Sequence, residues 1–201
     1  MSLVRRIFRV DALIAGLLLL SLAGCGINNI PTYYQQVNAS WSEVQNQYQR
    51  RADLVPNLVA TVKGYAAHEA GVLEAVTQAR AKVTQTQIPA NILTNPQAFH
   101  QFEQNQATLS GALSRLMVVT ENYPDLKANQ NFLTLQSQLE GTENRIAVAR
   151  RDYILAVQQY NTELTTIPGR WYRSMFYSDK QPLQNFTATA PNAEQAPQVK
   201  F

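Results

Sequence analysis

Cysteine and histidine are scarce in this sequence, period-two alternation is missing, and no run of basic residues interrupts its body. The single cysteine, Cys25, excludes an intramolecular disulfide framework and a zinc site built from several thiolates. His68 and His100 fall on different expected helices, with neither an HExxH pattern nor a carboxylate cluster beside them, so no metal site and no cofactor is read. The lack of alternation excludes half-buried strands and leaves an all-α class. The formal charge of +3 is concentrated at the N-terminus: losing Arg5, Arg6 and Arg9 together with Asp11 takes it to +1 for a chain beginning at Cys25. Nothing is left to track phosphates, which argues against a nucleic-acid partner.

The long hydrophobic run of a membrane-spanning helix is also missing. Behind the basic start, Ala12 to Leu22 is apolar or small, and eleven residues fall short of the roughly 20 that a helix needs to cross a bilayer. A basic start, a short apolar core and small residues after it have the layout of a signal peptide. Its end, Leu22-Ala23-Gly24-Cys25, resembles the lipobox of bacterial lipoproteins at all four positions. That resemblance implies cleavage before Cys25, diacylglycerol on its thiol and an acyl group on the new amino terminus. Two or three chains hold far more firmly than one, at about 0.8 kcal/mol per buried CH₂. The alternative is an uncleaved signal that anchors the chain as a single pass. The organisation expected is residues 1–24 as signal peptide, 25–32 as lipidated tether, 33–178 as helical body and 179–201 as a flexible tail rich in proline, alanine and asparagine.

What is abundant is helical periodicity. Steps of three and four from Tyr34 through Val37, Trp41, Val44, Tyr48, Val55, Leu58, Val62, Tyr65, Val72, Val76 and Ala79 to Val83 predict one long helix, Tyr33 to Thr84. Only Arg51 and Glu69 break its seam. Pro56 removes the hydrogen bond to the carbonyl of Ala52, which predicts a kink and not a stop. Asn95-Pro96 offers an N-cap and a first-turn proline for a second helix, with Phe99, Phe102, Leu109, Leu113 and Leu116 on one face and Gln106 and Thr120 filling the register. That helix ends at Asn122-Tyr123-Pro124. A third begins near Asn129, carries Phe132, Leu139, Ile146, Ala149, Tyr153 and Tyr160, and stops at Pro168-Gly169. Arg170 to Tyr177 suits a short fourth helix.

The stretch Arg51-Ala52-Asp53-Leu54-Val55-Pro56-Asn57-Leu58-Val59 resembles the LemA family of bacterial envelope proteins. The likeness continues through Val62-Lys63-Gly64-Tyr65-Ala66, Ala79-Arg80-Ala81, Glu121-Asn122-Tyr123-Pro124-Asp125-Leu126-Lys127-Ala128-Asn129, Arg145-Ile146-Ala147, Tyr160-Asn161 and Ile167-Pro168. Two departures stand out: Tyr153-Ile154 where the family has Tyr-Asn, and a lipobox where many relatives keep a transmembrane helix. The resemblance implies an elongated antiparallel helical bundle held at the membrane outside the cytoplasm, with no established enzymatic activity.

Charged residues near the packing faces allow two readings. Glu140 and Glu143, one turn apart, could act as acid and base of an envelope hydrolase. The reading preferred is a structural polar network of Arg51, Asp53, Glu69, Glu143 and Arg150, with no catalytic residue and no small-molecule substrate, because neither a nucleophile nor an oxyanion site accompanies the carboxylates. Helix lengths of about 75 and 40 Å leave Tyr34, Val37, Trp41, Val44 and Tyr48 uncovered, at 1.5 Å per residue, which predicts an exposed interface stripe. The function expected is a lipid-anchored extracytoplasmic scaffold, held to membrane lipid through acylated Cys25, that self-associates or holds a membrane protein partner.

Overall fold

Asparagine and proline set the helix starts. The structure, a computed structural model, describes residues 26–187; residues 1–25, which include the segment expected to be a signal peptide and Cys25, and residues 188–201 lie outside it. Helix α1 runs Asn29–Lys63, α2 Ala70–Gln85, α3 Pro96–Thr120, α4 Pro124–Lys127, α5 Gln130–Thr165 and α6 Gly169–Phe176, with a 3-10 turn at Ile92–Thr94. Asn95 caps α3 by accepting from the backbone of Gln97 and Ala98, and Pro96 takes the first position, where its missing N–H costs nothing. Asn129 caps α5 in the same way, accepting from Asn131 and Phe132. Pro124, expected only to stop a helix, also opens α4. No strand occurs among the described residues, and the all-α class stands.

The first helix differs from expectation. It does not continue to Thr84 but ends at Lys63, and a turn over residues 64–69 separates it from α2. Gly64 is a weak helix former, and the turn is tied down from elsewhere: the Tyr65 hydroxyl accepts from Asn129 at 2.8 Å, and Glu69 accepts from the Tyr123 hydroxyl at 2.9 Å. The apolar register crosses the break because both helices face one core. Pro56 lies inside α1. The carbonyl it frees, that of buried Ala52, accepts from Arg80 Nε of α2 at 2.9 Å, so the backbone group that proline orphans finds a side-chain partner.

Contacts divide the described residues into two compact units, one of residues 26–39 with 156–182 and the other of residues 40–155 with 183–187, and α1 and α5 contribute to both. In the second unit the contacts give the helix directions. Ala52 of α1 meets Arg80 of α2, while Val62, Ala66 and Leu73 share the core around the turn, so α2 returns antiparallel. Trp41 meets Phe99 and Arg51 meets Ser110, so α3 runs parallel to α1. Trp41 meets Tyr153 and Arg51 meets Glu143, so α5 runs back. The result is an up-down-up-down four-helix arrangement around Val55, Leu58, Val76, Leu109, Leu116, Phe132 and Leu139. Three long helices were expected; the turn at Gly64 makes four.

That turn also explains why the expected interface stripe is not exposed. Val37, Trp41, Val44 and Tyr48 are buried, and only Tyr34 is partly accessible. Trp41 sits among Phe99, Phe102, Tyr153 and Phe186 at ring-centroid distances of 5.1 to 6.4 Å. Helix α1 has 35 residues, about 52 Å and not 75 Å, and α3 starts at the level of Trp41, so the stripe is covered. Phe186 belongs to a segment expected to be flexible. Residues 183–187 instead form a packed strap: Gln184 N donates to Leu93 O at 2.7 Å, the Tyr153 hydroxyl donates to Gln184 O at 2.6 Å, and Leu183 and Phe186 are buried.

In the first unit, Tyr34 packs on Tyr160 at 5.7 Å, Lys180 Nζ lies 4.5 Å above the Tyr34 ring, and Asn29 Nδ2 donates to Glu163 at 3.3 Å. Ile30 and Leu164 are fully buried. Helix α6 is held through Arg173 Nε, which donates to Lys180 O at 2.9 Å.

Candidate functional site

Arg51 is the polar residue around which the four-helix unit is built. It lies on the buried face of α1, one turn before Val55, and is 1% exposed. A guanidinium carries five donors that must be matched when buried. Nη2 donates to Gln106 Oε1 at 2.6 Å and Gln106 O at 3.1 Å; Nη1 donates to Ser110 Oγ at 2.5 Å and to Glu143 Oε1 at 3.1 Å. Nε has no hydrogen-bond partner among the described residues. One side chain of α1 thereby fixes the register of both α3 and α5. Gln106 and Ser110 were not expected as partners; the one available signal was Gln106 interrupting an apolar stripe.

The remaining charged residues scatter around this centre. Arg150 lies 4.2 Å above the Phe186 ring and its Nη1 reaches the Tyr48 hydroxyl at 3.4 Å. Burial pushes the Tyr48 phenol above its usual pKa, and the two nearby arginines oppose that shift. Asp53 stands apart from Arg51, accepting from Gln49 on the exposed face, and Glu69 is engaged by Tyr123. Glu103, unremarked in the sequence, is buried and accepts from Thr187 N at 3.3 Å, holding the end of the strap.

Glu140 and Glu143 share the wall of an open groove of about 490 Å³ between α3 and α5, but they do different things. Glu140 accepts from Gln136 on the surface, while Glu143 accepts from Arg51. The Glu143 carboxylate is thereby tied to a buried guanidinium at 3.1 Å. The Ser110 hydroxyl beside it accepts from that guanidinium, which does not activate it as a nucleophile. A second groove, about 450 Å³ between α2 and α3, is lined by Gly71, Ala75, Ala79, Gly111, Lys82 and Arg115 among others. No group of three or more histidine, cysteine, aspartate or glutamate residues that could hold a metal occurs among the described residues, and His68 and His100 are exposed. No described helix is long and apolar enough to cross a membrane.

Two curated relatives, Magnetosome protein MamQ 2 and Magnetosome protein MamQ 1 of Paramagnetospirillum magneticum, are each 38% identical to the chain over 60 residues. That stretch is 30% of this chain and 22% of the relative, so the match spans less than a quarter of the relatives' length. The LemA family model matches residues 40–201, a stretch that takes in the Arg51 cluster, the turn at Gly64 and the strap at Phe186. The chain therefore belongs to the LemA family.

Proposed function

We propose that this protein is a lipid-anchored, non-enzymatic helical scaffold on the extracytoplasmic side of a bacterial envelope membrane, acting through self-association or by holding a membrane protein partner. The observation that carries the reading is Leu22-Ala23-Gly24-Cys25 at the end of a short apolar segment, followed within a few residues by the helical body. Membership of an envelope family without a known enzymatic activity supports it. So does the Arg51 cluster, whose polar groups are spent on register between helices. The partner surface lies elsewhere than on Trp41, Val44 and Tyr48, which are buried.

Labelling cells with an alkyne fatty acid tests the anchor: label on the wild-type chain and none on Cys25→Ala supports it, and an unlabelled wild type contradicts it. The scaffold and hydrolase readings separate at the two glutamates. As a scaffold, Glu143→Gln lowers the melting temperature through Arg51 and Glu140→Gln leaves it unchanged. A hydrolase would instead lose turnover of a cell-wall substrate in both variants with the fold intact.

A further inference from the structure

Helix α6, Gly169–Phe176, is amphipathic in the wrong sense for a helix that packs on a soluble protein. At 100° per residue Trp171, Met175, Tyr172 and Phe176 share one arc, and Arg170, Arg173 and Ser174 share the other. Three of the four apolar side chains are turned to solvent, Trp171 57%, Met175 65% and Phe176 60% exposed, while Tyr172 is half-buried against Gly26; Ile167, just before the helix, is 64% exposed, and Arg170 and Ser174 on the polar arc are exposed too. Four large apolar side chains exposed within ten residues are a concentration of the kind that marks an interaction surface. The cationic side includes Arg173, fastened to Lys180 O, and Arg170, which is exposed at the rim.

The position of Gly26 says what covers this patch. A Cβ built on Gly26 would lie 3.4 Å from the Tyr172 ring and 3.9 Å from Pro168 Cγ, so the chain enters the body against α6 itself. Cys25 is the next residue back, and adjacent Cα atoms are about 3.8 Å apart. An eight-residue helix is about 12 Å long, so the whole patch lies within one helix length of the anchor.

We propose that α6 is a membrane-docking element: Trp171, Met175 and Phe176 enter the headgroup region of the bilayer that holds the N-terminus, and Arg170 reaches lipid phosphates at its edge. Trp and Phe favour that interfacial layer, and arginine keeps its charge in the headgroups while its stem lies along apolar surface. Two attachments, the anchor and the helix, fix the orientation of the body where the anchor alone would leave it free to swing. The inference rests on the membrane-anchoring reading, and the following experiment separates the two.

The membrane-extracted full-length protein is reconstituted into vesicles of phosphatidylethanolamine and phosphatidylglycerol with acyl chains brominated near the headgroup, and tryptophan emission is compared with Trp171→Phe. Trp41 is buried in the aromatic core and serves as the internal reference. Docking predicts that the wild type floats with the vesicles, loses about half of its emission to brominated lipid and resists aqueous iodide, whereas floating Trp171→Phe is barely quenched. A wild type that floats while Trp171 remains open to iodide and untouched by bromine overturns the docking and leaves the anchor intact. A wild type that does not float overturns the anchor and the docking together. Met175→Glu with Phe176→Glu, both on the solvent-facing arc, should keep the melting temperature and flotation while restoring iodide access to Trp171.

Discussion

A buried guanidinium is costly unless its partners are in place, and here the partners differ in how much they matter. Replacing Arg51 by Met strands the Gln106 side-chain oxygen in the core, while the Gln106 carbonyl keeps its bond within the helix, so a loss of about 1 to 3 kcal/mol is expected in urea unfolding. Glu143 is 43% exposed at its side chain and water compensates its loss in part, so Glu143→Gln should cost about 1 kcal/mol. Tyr160 poses the opposite case. Burial, first, and the nearby Tyr34 raise its phenol pKa to about 12, and its hydroxyl has no hydrogen-bond partner among the described residues. A phenol raised in the folded state binds its proton more tightly there than in the unfolded chain. Its contribution is therefore fully present below pH 10, the ordinary phenol value, and lost as the pH rises from there toward 12. Tyr160→Phe should change stability by less than about 1 kcal/mol at pH 7 and flatten the alkaline loss seen by circular dichroism.

At the scale of elements, the coupling between Pro56 and Arg80 is open to a double-mutant cycle. Arg80→Ala leaves the buried Ala52 carbonyl unmatched and should cost about 1 to 3 kcal/mol. Pro56→Ala returns an N–H to that carbonyl, so the double variant should recover much of the loss, with a coupling energy of about 1 kcal/mol or more by urea titration. The strap is equally testable. Phe186→Ala removes one wall of the Trp41 pocket and should cost about 3 kcal/mol, with a red shift of Trp41 emission in a Trp171→Phe background. These elements were unequally legible in the sequence. Asn95-Pro96 and Asn129 announce their helices because capping is local chemistry. The turn after Lys63 was hidden because the apolar spacing continues through it, and what holds it, Asn129 on Tyr65 and Tyr123 on Glu69, comes from residues more than fifty positions away. The strap was hidden because its composition is that of a tail; Phe186 alone marked it, and one aromatic residue does not specify a partner. Arg51 could be picked out as a charge in a seam, but its acceptors Gln106 and Ser110 lie on a helix whose register only the fold sets.

For the whole molecule, family membership and an all-helical body support the proposed scaffold, and the proposed attachment at Cys25 would make that scaffold a membrane device. The proposed attachment would also give the exposed side chains of α6 a role, because Gly26 lies against Tyr172 and Cys25 is the next residue back. One measurement reaches this point most directly: mass spectrometry of the N-terminal peptide of the protein purified from native membranes. The expected species begins at Cys25 and carries a diacylglyceryl thioether and an amide-linked acyl chain. An N-terminal peptide that begins at Met1 with an unmodified Cys25 would contradict lipid anchoring and leave the chain without its proposed hold on the membrane through that thiol.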